Sequence, residues 1–239
     1  MNAAVHLLSV GVLTYERPEL LRSALLDLRL ADLPEGWHQR ITVVDNSEDE
    51  HARAQVNGML DAHLLHALIR PAENVGIAAA WNLAYGALRA PQLWSGHGIP
   101  DAIALIQDDV QLEPGWFTAC WDALQRWNDL ALVSGYNSPL HPTVERRGEL
   151  PLQLYVQAAL PGVHLVARTS TWDRLFPIEV AEHHTGEDWW FCKYAPDAPR
   201  HAGRVCGVVP GLVQHVGRQS KWNPTPHPEY ADPVAETLT

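Results

Sequence analysis

Along the first half of the chain, short runs of consecutive apolar residues alternate with stretches in which apolar residues recur every three or four positions. Leu7 to Leu13 is such a run. Pro18 follows it at a position suited to the first turn of a helix, with Leu21, Ala24, Leu25 and Leu28 at helical spacing. Ile41 to Val44 repeats the run, and Ser47 and Glu50 have the spacing of a capping box for a helix reaching about Ala62. Leu64 to Ile69 predicts a third strand, the Ala-rich segment from Gly76 to Ala90 a helix, and Ile103 to Ile106 a fourth strand. Pro114 then opens a helix whose apolar face carries Phe117, Cys120, Trp121 and Leu124. Strands alternating with helices at this interval imply an α/β fold, a mostly parallel central sheet flanked by helices on both faces.

The second half is less regular. Leu130 to Ser134 reads as a strand, Asn137 to Pro151 as a loop, Leu152 to Leu160 and Val163 to Ala167 as two more strands, and Ser170 to Phe176 as a short helix stopped by Pro177. From Pro224 onward, Pro226, Pro228 and Pro233 deny the chain helix or central strand. The expected organisation is one domain over 1–221, with a regular half (1–110) and a mixed half (111–221), followed by an extended Pro-rich tail at 222–239.

Composition narrows the partners. A chain of 239 residues that is 46% hydrophobic can bury one sizeable core. Lys plus Arg number 17 against 28 Asp plus Glu, a net charge of -11 with no basic cluster, so no nucleic-acid partner is expected. Cys120, Cys192 and Cys206 form no CxxC pair and leave one thiol over in any disulfide scheme, which favours a reducing compartment and implies the cytoplasm. No Lys or Arg precedes the first apolar stretch, which Glu16 and Arg17 end early, so neither a secretory signal nor a membrane span is expected and a membrane partner would be peripheral. Nothing in the sequence fixes an oligomeric state.

The chemistry concentrates where strands should end. The run Ile103 to Ile106 leads through Gln107 to Asp108 and Asp109, two adjacent carboxylates at the edge of an open α/β sheet where ligands bind. Such a pair can hold a hard divalent cation over a diphosphate; it can also be a solvated acidic turn. Tyr15, Asp45 and Asn74 also fall just after strands, so one crevice can collect them all. Asp45-Asn46 has the alternative of simply turning the chain, and Asn74 to Gly76 that of a tight turn before a helix.

Six local patterns occur in a telling order: Gly11-Val12-Leu13-Thr14-Tyr15-Glu16-Arg17-Pro18, Val43-Val44-Asp45-Asn46-Ser47, Asn74-Val75-Gly76 with Asn82, Gln107-Asp108-Asp109, Gly186-Glu187-Asp188 and His215-Val216-Gly217. Over roughly residues 7 to 220 the chain thereby resembles the GT-A glycosyltransferases, specifically the inverting family-2 type. The resemblance implies a single Rossmann-like GT-A domain, with 1–110 binding a nucleotide sugar and the mixed half facing the acceptor. It implies a metal-dependent inverting transfer of a hexosyl or deoxyhexosyl unit from a nucleotide diphosphate sugar to an acceptor hydroxyl.

By the same resemblance, Asp109 is the direct ligand of Mn²⁺ or Mg²⁺, His215 closes the shell, and Asp108 faces the ribose or sugar of the donor. Asp188 is the general base, with Glu187 positioning the loop or an acceptor hydroxyl; Thr185 and Asp188 also have capping-box spacing, which would account for the acid without catalysis. Asp45 would accept a hydrogen bond from the imide N–H of uracil or thymine, which favours UDP- or dTDP-linked donors. Thr14 and Tyr15 would hold base and ribose, Asn74 and Gly76 would bring backbone close to the donor, and Arg17 and Asn46 also belong to the donor side. Arg218 or Lys221 would swing over the diphosphate or remain a surface charge. Of Trp189 and Trp190, about 100° apart on a helix, at most one would face the acceptor.

One departure matters. Many relatives place an arginine before the asparagine of the third helix, whereas this chain has Trp81 before Asn82. Neutralising the diphosphate then falls more to the metal and the helix terminus; some relatives that use dTDP-rhamnose also lack the arginine. The alternatives are a catalytically silent nucleotide-sugar-binding or scaffolding module and a sugar-1-phosphate nucleotidyltransferase. The latter needs a glycine-rich basic loop, and Thr14 to Pro18 has no glycine and a single basic residue. The acceptor has no motif in the sequence.

Overall fold

The computed structural model describes residues 5–90, 98–137, 141, 143–157, 160–179, 190–191 and 204–217. The apolar run at the start forms β1 (His6–Thr14), and α1 (Pro18–Arg29) begins at Pro18, whose missing N–H costs nothing in the first turn. Leu21, Ala24, Leu25 and Leu28 are all buried, as their spacing requires. β2 (Trp37–Asp45) is longer than its apolar core, because its first residues are only half-buried.

The helix that follows, α2 (Glu50–Asp61), is capped differently from the expectation. Asp49 is the N-cap, accepting from the Ala52 N–H at 2.8 Å, while the Ser47 hydroxyl accepts from the Glu16 N–H at 2.8 Å. Ser47 serves the loop after β1 rather than its own helix. β3 (Ala67–Ile69) and α3 (Ile77–Arg89) follow, with Gly76 at the N-cap of α3. β4 (Ala102–Gln107) is buried from Ala102 to Ile106, and a short β5 (Val110–Leu112) lies just beyond the aspartate pair. α4 (Trp116–Arg126) starts two residues after Pro114 and buries Phe117, Cys120 and Leu124.

In the second half, β6 (Leu130–Ser134) matches its expected span. The segment read as a loop contains β7 (Thr143–Glu149), paired antiparallel with β8 (Leu152–Gln157). β7 is exposed at the sheet edge and carries Glu145, Arg146, Arg147 and Glu149, so no apolar alternation marks it. β9 (His164–Arg168) and α5 (Thr169–Leu175) fall close to their expected places. β10 (Arg204–Val209) and β11 (Val213–His215) were not legible as strands.

Among the described residues, nine strands form one sheet in the order β3-β2-β1-β4-β9-β6-β10-β8-β7, and β11 pairs with β5 as a separate ribbon. β3, β2, β1 and β4 are parallel, so their C-terminal ends share one edge. β9 enters antiparallel between β4 and β6, making the second half mixed. The buried residues of α1, α2 and α4 pack on one face of the sheet, and those of α3 and α5 on the other. α3 sits especially close to β1, since a Cβ on Gly11 would stand 2.8 Å from Leu88 Cδ1. Among the described residues no helix is long and apolar enough to cross a membrane. The Pro-rich tail 222–239 lies outside the described residues.

Candidate active site

The edge where β1, β2, β3 and β4 end collects the polar residues that the strand-end argument singles out. Parallel register sets Thr14 beside Asp45, and the ladder between β1 and β4 continues past its end through the Asp108 N–H, which donates to the Leu13 carbonyl at 3.1 Å. Thr14 Oγ1 then donates to Asp108 Oδ2 at 2.6 Å. Asp108 is fully buried and Asp109 nearly so.

Arg17 bridges the two carboxylates. Its guanidinium donates to Asp108 Oδ1 at 2.5 Å and to Asp109 Oδ2 at 2.7 Å, with 28% of the side chain exposed. The turn that aims it is local: Glu16 takes a left-handed φ of 55°, held by the Ser47 hydroxyl, and Arg17 is the N-cap of α1. Burial raises the Asp108 carboxyl above the ordinary carboxylate range, Arg17 opposes this, and the neighbouring Asp109 charge adds to it. For Asp109 burial pushes the same way, but the His215 hydrogen bond and the Arg17 charge outweigh it and hold the carboxyl low.

His215 arrives from the far end of the chain. β11 pairs antiparallel with β5, setting His215 opposite Val110, and the Val216 N–H donates to the Asp109 carbonyl at 2.8 Å. His215 Nε2 stands 3.2 Å from Asp109 Oδ2. Asp109 Oδ1 is buried and has no hydrogen-bond partner among the described residues. A Cβ on Gly217 would lie 2.2 Å from Asp109 Oδ2, so only glycine lets the chain pass there.

This donor set suits a hard or borderline divalent cation. A buried carboxylate oxygen with no partner faces away from the one shared by Arg17 and His215, and an imidazole nitrogen stands close by. Among the described residues no three His, Cys, Asp or Glu side chains converge to hold a metal by themselves. Asp109 and His215 alone could supply only part of a cation's shell, and other oxygen ligands would have to complete it.

At the next strand end, Asp45 is fully buried, and Arg70 holds its Oδ2 through Nε at 2.9 Å and a terminal nitrogen at 2.6 Å. The Ser47 N–H donates to Asp45 Oδ1 at 3.1 Å. Sequence reasoning missed Arg70, although register could have found it: Val44 pairs with Ile69, so the next residues along, Asp45 and Arg70, are neighbours. Asn46 and Asn74 interlock, with Asn46 Nδ2 donating to Asn74 Oδ1 at 2.7 Å and the Val75 N–H to Asn46 Oδ1 at 3.0 Å. The Gly76 N–H also donates to Asn74 Oδ1, and Gly76 has φ 76° with open space where a Cβ would be. Together they present the N-terminus of α3 to the crevice. Tyr15 is half-buried, its hydroxyl 3.4 Å from Glu48.

Other expected residues take structural roles or lie elsewhere. Asn82 exchanges two hydrogen bonds with the backbone of Ile178, and Trp81 is buried in the core beneath α3. Trp190 Nε1 donates to the Leu175 carbonyl at 3.2 Å. Asp188, Glu187, Trp189, Arg218 and Lys221 lie outside the described residues, as does Cys192, whereas Cys120 and Cys206 are buried free thiols.

The fold is that of the GT-A glycosyltransferases. The model of "Glycosyl transferase family 2" matches residues 9–179, and the chain belongs to that family. It is 27% identical over 150 residues to the succinoglycan biosynthesis protein ExoM of Rhizobium meliloti (strain 1021), covering 61% of this chain and 43% of that protein. Among solved structures, GalNAc-T7 with UDP, GalNAc and Mn²⁺ superposes with a TM-score of 0.64 at 12% identity, over 97% of this chain and 47% of that one. S. aureus TarS 1-349 in complex with UDP-GlcNAc gives 0.61 at 15% identity, over 90% of this chain and 59% of that one. The mannosyltransferase PcManGT from Pyrobaculum calidifontis, in complex with GDP-Man and Mn²⁺, gives 0.59 at 15% identity, over 89% and 58%. The chain thus spans less than two thirds of each of these proteins.

Proposed function

We propose that the chain is a metal-dependent inverting glycosyltransferase that moves a sugar from a UDP- or dTDP-linked donor to an acceptor hydroxyl, acting in the cytoplasm. The observation that carries this reading is the buried, unpartnered Oδ1 of Asp109 beside His215 at the end of β4. Asp109 and His215 would hold Mn²⁺ or Mg²⁺, with diphosphate oxygens and water filling the remaining positions. A cation bound there offsets the negative charge that gathers on the departing nucleoside diphosphate. The Mn²⁺ and nucleotide sugars in the structural neighbours support this assignment.

The chain's own groups divide the remaining work. Asp45, its carboxylate held by Arg70, accepts the imide N–H of a uracil or thymine ring, and Tyr15 lines the base or ribose. Thr14 orients Asp108 toward the donor's ribose or sugar. The first amides of α3 face the diphosphate, and Gly76 keeps their approach open. Arg17 stands where its free edge can reach a phosphate, a cation that α3 lacks at the position before Asn82, where the chain has Trp81. Asp188 takes the acceptor hydroxyl's proton as that oxygen attacks the anomeric carbon from the face opposite the diphosphate. The bond from the anomeric carbon to the phosphate oxygen breaks and the configuration inverts.

A thermal-shift screen of UDP, dTDP, CDP, GDP and ADP, each with Mn²⁺ or with EDTA, tests the reading, because a ligand that binds only the native state raises its melting temperature. UDP or dTDP should give the largest shift, and only with Mn²⁺. Equal shifts for all five nucleotides, or none, would overturn it. A Mn²⁺-dependent UDP shift without donor hydrolysis or transfer would instead point to a silent binding module.

A further inference from the structure

His164 is the first residue of β9, fully buried, with its ring perpendicular to that of Trp116 at 5.0 Å between centroids. Its Nδ1 accepts from the Gly135 N–H at 3.0 Å, so the ring proton sits on Nε2, which has no acceptor among the described residues. A buried polar hydrogen without a partner is a cost that an apolar side chain at this place would avoid. What the imidazole supplies is the acceptor for Gly135.

Gly135 passes that anchor on. Its carbonyl accepts from both the Leu212 N–H at 2.9 Å and the Val213 N–H at 3.1 Å, the residue just before β11 and the first of that strand. Contact there is tight, because a Cβ on Gly135 would stand 2.5 Å from Val213 Cγ2. Two residues further along β11 is His215, and one beyond that the Val216 N–H is fastened to the Asp109 carbonyl. The strand that delivers His215 is thus held at one end by the Gly135 carbonyl and at the other by Asp109 itself.

We propose that His164 is a positioning residue for the cation site: by anchoring the Gly135 backbone through its N–H, it fixes the residue whose carbonyl sets where β11 holds His215 relative to Asp109. Without an acceptor at Nδ1 the Gly135 N–H would be left buried and unpaired. The Ser134–Gly135 peptide would then rotate, and because the flexible Gly135 dihedrals join it to the next peptide, the carbonyl that fastens Leu212 and Val213 would lose its fixed position. Burial also lowers the basicity of His164 to about 3, which keeps Nδ1 free to accept at neutral pH. The proposal rests on the cation reading of Asp109 and His215, and it adds a residue that never touches the ion.

Two conservative variants separate acceptor position from packing. In His164→Asn the side-chain oxygen falls near the place of Nδ1, whereas in His164→Gln it falls near Nε2, out of reach of Gly135. Packing alone favours Gln, the closer match in volume. Calorimetric titration of the full chain with Mn²⁺ in the presence of UDP should show about 10- to 100-fold weaker binding for His164→Gln, the usual effect of losing a supporting hydrogen bond. His164→Asn should stay within about threefold of the parent. Equal losses, or a larger loss in the Asn variant, would overturn the proposal.

Amide hydrogen exchange of Leu212 and Val213 without metal provides the second readout. Protection should fall in His164→Gln and hold in His164→Asn, and unchanged protection in both would overturn the proposal whatever the metal does. A parent protein that takes up no Mn²⁺, or an Asp109→Asn variant that takes it up equally well, would sink the cation reading instead. The exchange data would then decide separately whether His164 anchors β11.

Discussion

Gly217 passes so close to Asp109 that a single added methyl would stand 2.2 Å from the carboxylate oxygen and 2.8 Å from the Asp109 Cβ and Cγ. The atoms in the way belong to a short side chain pinned by Arg17 and next to backbone that is itself hydrogen-bonded, so they cannot swing aside as the end of a lysine could. Gly217→Ala must rotate Asp109 or lift the end of β11, and either movement parts Asp109 from His215. The expected result is loss of the Mn²⁺-dependent thermal shift with UDP, with Mn²⁺ affinity down about tenfold or more. An alanine variant that responds to Mn²⁺ like the parent would mean that the two ligands do not act together.

Arg17 supplies the positive charge that lets two adjacent carboxylates lie buried. Removing one partner of such a cluster leaves charge uncompensated, at about 3–5 kcal/mol for fully buried pairs. Arg17 keeps 28% of its side chain exposed, so Arg17→Ala should cost less, roughly 2 kcal/mol of metal-free stability. Mn²⁺ should then raise the melting temperature of the variant more than that of the parent, because the ion restores the missing charge. Urea unfolding with EDTA and with Mn²⁺ checks both statements. A metal-free stability equal to the parent's would show that water already screens the pair.

How much of this was legible in advance depended on whether a feature is local. β1, α1, β6 and the Asp108-Asp109 edge follow from runs and spacings within a dozen residues, and their placement followed directly. The Ser47 expectation failed because its hydroxyl is claimed by Glu16 across the sheet, a partner that no local pattern names. β7 failed for the opposite reason: it is an exposed edge held by its ladder to β8, and its charges mimic a loop. Arg70, Gly135 and His164 act through register and through contacts between distant strands, so their roles appear only once β2 lies beside β3 and β11 beneath Gly135. His215 was found from its motif, whereas the strand that carries it was not.

His164 also gives stability a pH dependence whose sign is fixed. Burial lowers its basicity from the ordinary 6.5 to about 3 in the folded state. Between those values the unfolded chain binds the extra proton and the native protein does not, so stability is fully present above pH 6.5 and is lost as pH falls toward 3. The slope is about 1.4 kcal/mol per pH unit inside that window. Asp108 works against this, since its raised carboxyl takes a proton in the folded state first and favours the native protein on acidification. Subtracting the His164→Asn curve from the parent curve removes that opposing effect. Urea midpoints from pH 7.5 to 5 should therefore converge as pH falls, the parent losing stability faster. Parallel curves would show that protonated His164 is tolerated in the folded core.

The assignment of Asp188 rests on its motif, and its test lies in the split between binding and turnover. A general base acts on the proton only as the acceptor oxygen attacks, so it contributes nothing to holding the donor. Asp188→Asn removes the proton acceptor while keeping size and shape, and should lower kcat about 10²- to 10⁴-fold with the UDP dissociation constant unchanged. If Asp188 is only the far member of a capping box begun by Thr185, the amide should serve almost as well, since its side-chain oxygen can still accept from the N-cap N–H, and turnover should survive. An NMR time course of the first product formed adds the stereochemical check. Inversion at the anomeric carbon is required of a single displacement with Asp188 as base, and a retained configuration would rule that displacement out even if the variant were inactive.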